Sequence, residues 1–202
     1  MSGLALHTTS PQLGLAIVDP RGNRRSQTWD LGRETSSQLH SLLAEFIQPL
    51  SWKDFQWLAV ACGPGGFTGT RIGMVTARTL GQQLDLPVFP ISTLAAVAWS
   101  NRNEQTSTIA VEMPGQRGQV FGAVYQIESG NIVAIVGDRV FAPEDWQTLV
   151  AEHSYPLVPA VSNLGETVSS ILELAYLSWQ QGQRPSWSNA LPFYGQHPVL
   201  GH

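Results

Sequence analysis

The run Gly63-Pro64-Gly65-Gly66-Phe67-Thr68-Gly69-Thr70-Arg71-Ile72-Gly73 sets five glycines and a proline between the apolar stretch Trp57 to Cys62 and a helical pattern from Thr70 to about Leu84. Strand, glycine loop and helix in that order make one α/β unit. Glycine permits positive φ and close backbone approach, so such a loop either cradles a phosphate on free N–H groups or lets another chain pack directly on the main chain. The plainer alternative is a tight turn that only joins strand to helix. A Walker A loop is excluded, because no Lys follows the last glycine: Gly69 is succeeded by Thr70 and Arg71. A dinucleotide fingerprint is excluded as well, because Thr68 stands where the third glycine belongs, although Asp85 lies near the acidic position about twenty residues on.

Other side chains capable of chemistry are sparse. His7, His40, His153, His197 and His202 show no HExxH spacing, which argues against a metallopeptidase. An ATP-dependent kinase needs carboxylates converging on a metal–nucleotide site, and Asp19, Glu112 and Asp138 are the candidates. Cys62 is the single cysteine, so no intramolecular disulfide forms and a reducing compartment is expected. It reads as a small buried residue at a strand end.

The helix after the loop offers a different kind of site. Gly69, Gly73, Ala77 and Gly81 recur at four-residue intervals and form one smooth stripe, while Ile72, Val75, Thr79 and Leu80 turn toward the sheet. The stripe is expected to meet a partner helix, with Arg71 and Arg78 as rim contacts; burial against the chain's own preceding helix is the alternative.

With 202 residues and 43% hydrophobic content the chain buries a sizeable core. Charged residues are only 13%, and Trp is abundant at seven, so part of the surface is expected to be covered by another protein. The net charge of −4 argues against a nucleic-acid footprint, the cluster Arg21, Arg24 and Arg25 reading as a solvated turn. The chain opens without a basic leader and has no run of about eighteen apolar residues, so a soluble, cytoplasmic protein with no membrane partner is expected.

These residues must be positioned by two halves, residues 1–103 and 104–202, divided where the chain turns polar. Leu4 to Thr8, Leu13 to Val18 and Ser26 to Asp30 read as a three-strand meander. A helix from about Glu34 to Pro49, a strand from Phe55 to Cys62, the loop and its helix, a strand at Pro87 to Pro90 and a helix from Ser92 to Ser100 follow. Thr108 to Met113, Val120 to Ile127 and Asn131 to Gly137 repeat the opening meander; Pro143 to Glu152 and Glu166 to Gln181 are helical, and Trp187 to His202 is an extended tail.

The glycine run closely resembles the GPGSFTG-[LTV]-RIG motif of the TsaB (YeaZ) family, with Gly66 in place of the usual serine. Arg33-Glu34-Thr35, Leu86-Pro87-Val88, Ile91-Ser92-Thr93-Leu94, Arg117-Gly118-Gln119-Val120-Phe121 and Leu191-Pro192-Phe193-Tyr194 fall in the family's order, so the resemblance spans nearly the whole chain. It implies an α/β, actin- and Hsp70-like ATPase fold of two ribonuclease-H-like halves, the second abbreviated. It implies a non-catalytic subunit, without cofactor or metal, in the synthesis of threonylcarbamoyladenosine on tRNA. Its implied partners are a TsaD-like catalytic subunit, a TsaE-like ATPase in a larger complex, or a second copy of this chain, with tRNA met only through the complex. The chain departs from the pattern at His7, where an Asp is usual, and at Val111-Glu112-Met113, where Asp-Ala-Arg is usual.

Overall fold

The computed structural model describes residues 2–103, 107–128 and 130–195. Two short apolar runs around a polar turn make the first hairpin: β1 (Gly3–His7) pairs antiparallel with β2 (Gln12–Val18), with Gly3 opposite Val18 and His7 opposite Gly14. β3 (Arg24–Asp30) continues the meander on the outer edge of β2. Arg24 and Arg25 thus belong to a strand rather than to a turn, and Arg24 pairs with Glu173 at 3.0 Å. After α1 (Thr35–Phe46) the chain enters β4 (Trp57–Ala61), buried at every position, which lies parallel to β1. α2 (Phe67–Leu84) then returns it to β5 (Val88–Ile91), parallel to β4. The resulting order is β3-β2-β1-β4-β5.

The second half repeats that order. α3 (Thr93–Ser100) leads to β6 (Thr108–Pro114), β7 (Val120–Glu128) and β8 (Asn131–Phe141), an antiparallel meander. α4 (Pro143–His153) then delivers β9 (Leu157–Pro159), which lies parallel to β6 and closes a sheet ordered β8-β7-β6-β9. The second sheet matches β3-β2-β1-β4 strand for strand and, among the described residues, has no counterpart of β5. This is the actin/Hsp70-like fold of two ribonuclease-H-like halves, the second abbreviated. β9 was not expected, because three residues are too few to show a period.

The helices tie the sheets together. α1 and α2 cover one face of the first sheet, where Leu39, Leu43, Met74 and Ala77 meet Leu4, Leu6, Leu58 and Val60. The opposite face sets the small side chains of Ala5, Ala16, Ala59 and Ala61 beside Trp57 and Phe89, and receives α5 (Val168–Gln180) through Val168, Ile171 and Ala175. α3 instead packs Leu94, Val97 and Ala98 against Ile109, Val111 and Ala123 of the second sheet. Each half therefore lends a helix to the other. Ser92 caps α3 as expected, its hydroxyl accepting the Ala95 N–H at 3.1 Å. The tryptophans go largely inward: Trp57, Trp99 and Trp146 are buried, so their abundance serves the core more than a partner surface. No helix among the described residues is long and apolar enough to cross a membrane.

Candidate functional site: the glycine loop and the helix that follows it

α2 starts at Phe67, three residues before the expected Thr70, and Gly66 is its N-cap with no side-chain cap. What lies against this end is the β1–β2 turn. The Gly66 N–H donates to the Thr9 carbonyl at 2.7 Å, and the Thr8 hydroxyl donates to the Gly69 carbonyl at 2.8 Å. A Cβ on Gly65 would stand 2.4 Å from the Thr9 carbonyl oxygen, one on Gly69 would stand 2.0 Å from the Thr8 carbonyl oxygen, and one on Gly73 2.1 Å from Thr8 Oγ1. The glycines thus let the helix settle onto the backbone of a turn sixty residues upstream. Gly63 and Pro64 are buried beneath this junction, the Gly63 carbonyl accepting the Thr93 N–H at 2.9 Å, and Phe67 and Thr68 are exposed at its rim.

A loop built this way is poorly suited to phosphate. Anion cradles direct free N–H groups at the ligand. Here the Gly66 N–H is already taken by the Thr9 carbonyl, carbonyl oxygens of Thr8 and Thr9 lie against Gly65 and Gly69, and no Lys or Arg lines the space beside them.

His7 completes that picture. It ends β1 fully buried, its Nε2 3.3 Å from the Thr9 hydroxyl, which stands 3.1 Å from the Thr93 hydroxyl. Burial lowers the imidazole pKa to about 4, only partly opposed by a backbone hydrogen bond, so the ring is neutral. Its Nδ1 has no partner among the described residues.

The three candidate carboxylates are dispersed among structural tasks. Asp19 accepts the Asn23 side-chain amide and the backbone N–H groups of Asn23 and Arg21 in a surface turn, and the Asn23 amide first of all holds its carboxyl below the usual range. Glu112 accepts the Trp146 indole N–H at 2.8 Å. Asp138 is half-buried and accepts the Ser92 and Tyr125 hydroxyls; burial raises its pKa, and burial together with the adjacent Asp138 charge raises that of the tyrosine. Cys62 lies just past β4, its thiol pushed up to about 12 by burial first and by the charge of Asp138 second. Among the described residues no three His, Cys, Asp or Glu side chains gather as a metal-ligating group. Of the histidines, His197 and His202 lie outside the described residues.

The stripe on α2 is real, but its orientation corrects the expectation that it meets a partner. Gly73, Ala77 and Gly81 are buried within the chain. Gly69 and Gly73 press on Thr8, and a Cβ on Gly81 would stand 2.5 Å from the Val88 side chain and 2.9 Å from that of Trp187. The face expected to meet the sheet turns outward instead: Val75 is 62% exposed, flanked by exposed Arg71 and Thr79, with Ile72 and Leu80 half-buried. The reason is proximity, since only small residues let the helix axis lie close to the β1–β2 turn and to β5. Arg71 stands over the Phe67 ring at 5.4 Å, and Arg78 is half-buried. The outward face of α2 and the neighbouring face of α1 enclose a groove of about 450 Å³, lined by Ser36, His40, Trp52, Ile72, Val75 and Thr79 among others.

The family profile described as "TsaD: tRNA N6-adenosine threonylcarbamoyltransferase" matches residues 31–195. The Bacillus subtilis tRNA threonylcarbamoyladenosine biosynthesis protein TsaB is 30% identical over 162 residues, which are 78% of this chain and 69% of that one. The Haemophilus influenzae TsaB is 54% identical over 97 residues, 47% of this chain and 41% of its own length. Among solved structures, an uncharacterized Pseudomonas aeruginosa protein with similarity to peptidase YeaZ superposes with a TM-score of 0.81 at 22% identity, covering 96% of this chain and 99% of its own. P. aeruginosa YeaZ follows at 0.78 and 21%, with the same coverages. At such identities the two superpositions speak for the fold. Together with the glycine motif and the profile match over most of the length, the Bacillus relative makes this chain a member of the TsaB (YeaZ) family.

Proposed function

We propose that this protein serves tRNA threonylcarbamoyladenosine biosynthesis in the cytoplasm as a non-catalytic subunit, pairing with a TsaD-like catalytic subunit through the outward faces of α1 and α2. The observation that carries this reading is the outward face of α2, where exposed Val75 with half-buried Ile72 and Leu80 forms an apolar strip between Arg71 and Thr79, beside a groove on a helix pair. A TsaD-like protein suits that face because the chain itself matches the TsaD family profile, so the two share a fold and each offers an equivalent pair of helices. Helix pairs stacked face to face bury such grooves through interdigitating side chains. A second copy of this chain would use the same face in the partner's absence.

The glycine loop, engaged with Thr8 and Thr9, and the buried neutral His7 support the absence of ATP turnover in this subunit. A net charge of −4 supports contact with tRNA only through the assembled complex, in which a TsaE-like ATPase also takes part.

The test is Val75→Arg. A folded variant whose affinity for a co-expressed TsaD-like subunit falls at least about tenfold, or 1.4 kcal/mol, bears the proposal out. Unchanged capture of that subunit by a folded Val75→Arg protein refutes the interface, and ATP hydrolysis by the purified wild-type chain refutes the non-catalytic role.

A further inference from the structure

α1 and α2 cover one face of the first sheet and α5 the other, so a partner docked on α1 and α2 leaves the outer side of α5 open. Three exposed arginines from distant parts of the chain come to that side. Arg24 of β3 lies over the Tyr176 ring at 5.7 Å. Arg102, just past α3, lies over the Trp99 ring at 4.1 Å, and Arg184, just past α5, over the Trp179 ring at 3.3 Å. Tyr176 and Trp179 rest in turn on buried Trp57, with ring centroids 6.4 and 6.5 Å from it.

The sign of this face is opposite to that of the chain. Glu173 is the one charged residue of α5, and it receives Arg24 at 3.0 Å, Arg102 at 2.9 Å and the Trp99 indole N–H at 2.7 Å. Three guanidiniums against that single carboxylate leave a local positive surplus in a chain whose net charge is −4. Arg24 spends Nη1 on Glu173, and Arg184 spends Nη1 on the Trp179 and Gln183 carbonyls; neither Nη2 has an acceptor among the described residues. A guanidinium already stacked and tethered gives up little freedom on binding, and its planar fork matches phosphate oxygens. The arginines are strung along α5, where Glu173 and Trp179 are separated by about 9 Å of helix axis. A nucleic-acid strand brings phosphates in such a row, whereas an acidic protein segment brings carboxylates on separate flexible side chains. Exposed Gln180, Gln181 and Gln183 add amides suited to sugar hydroxyls.

We propose that the outer side of α5, with Arg24, Arg102 and Arg184, is a contact for the phosphate backbone of RNA, and that in the assembled complex it lies against the tRNA. The identity of the RNA rests on the subunit role argued above; the surface is separate from the Val75 face. The test is Arg24→Gln combined with Arg184→Gln, which keeps the Glu173 contacts to Arg102 and Trp99. In mobility-shift titrations of a tRNA transcript with the co-purified complex, the double variant is expected to bind at least about fivefold more weakly at about 100 mM salt. Its plot of log affinity against log salt is expected to be shallower by about 1–2, with circular dichroism and partner capture unchanged. A folded, partner-capturing variant with wild-type tRNA affinity and salt slope overturns the proposal. So does loss of a protein partner with tRNA binding intact, which would make the occupant an acidic protein segment. If no TsaD-like subunit is captured by the wild type, the subunit reading falls by itself and the full chain alone carries the test at about 20 mM salt. There the wild type is expected to bind the transcript at least about threefold more tightly than the double variant, and equal or undetectable binding overturns the proposal.

Discussion

Gly73 and Thr8 are locked together: a Cβ on Gly73 would stand 2.1 Å from the Thr8 hydroxyl oxygen, while that hydroxyl donates to the Gly69 carbonyl one turn earlier. The helix and the β1–β2 turn are thereby fixed to each other at two consecutive turns, and the glycine motif acts as packing geometry.

Gly69→Ala is expected to destabilise the chain by about 1–3 kcal/mol, because its Cβ meets a backbone carbonyl that has nowhere to move. Gly73→Ala is expected to cost less in a Thr8→Ala background than alone, since its nearest obstacle is the removed hydroxyl. Gly66→Ser is the contrast, neutral or stabilising by a few tenths of about 1 kcal/mol. At Gly66 φ is −60°, ordinary for any residue, and the nearest obstacle to a Cβ is 3.5 Å away. Thermal and urea unfolding of Gly69→Ala, Gly73→Ala, Thr8→Ala, their Thr8→Ala/Gly73→Ala combination and Gly66→Ser checks all three statements.

Ala77→Trp is expected to leave no well-folded monomer. Ala77 is fully buried in the cluster formed by Leu4, Leu6, Leu58 and Val60 with α1 and α2, and an indole there exceeds the volume that repacking absorbs. Loss of a cooperative circular dichroism melt is the readout; a native-like melt would mean that this face is not core.

Stability is expected to fall as pH drops from about 6.5 toward about 4. The unfolded chain protonates His7 near its ordinary 6.5, whereas the folded chain resists until about 4, so the unfolded state binds more protons between those values. The full effect is on the order of 3 kcal/mol. Asp138 acts in the opposite sense, because its buried carboxyl prefers its proton and loses stability as pH rises through its raised pKa. Urea midpoints from pH 4 to 8 for wild type, His7→Asn and Asp138→Asn separate the two contributions.

Cys62 is expected to resist alkylation. With its thiol at about 12 the reactive thiolate is scarce at pH 8, so iodoacetamide should modify folded protein at least about a hundredfold more slowly than urea-unfolded protein. Equal rates in the two states would contradict the buried placement.

What residue order determined was local. Short apolar runs between polar turns marked the strands of both meanders, Ser92 marked the start of α3, and the spacing from Gly63 to Gly73 identified the family, because each of these signals is local in the chain. The small stripe on α2 was equally legible, since Gly69, Gly73, Ala77 and Gly81 repeat with the helix. Its direction was not. A period states that one face is smooth and leaves open what lies against it, and that was decided by Thr8 on a turn sixty residues away, by Val88 on β5 and by Trp187 in the tail. Tertiary structure likewise decided that α5 crosses to the first sheet, where the alanines of that face admit it, and that Arg24 and Arg184 come to the outer side of that helix. It also gave His7 its neutral state, because an imidazole pKa reports the water and charge around the ring, which only the folded chain arranges.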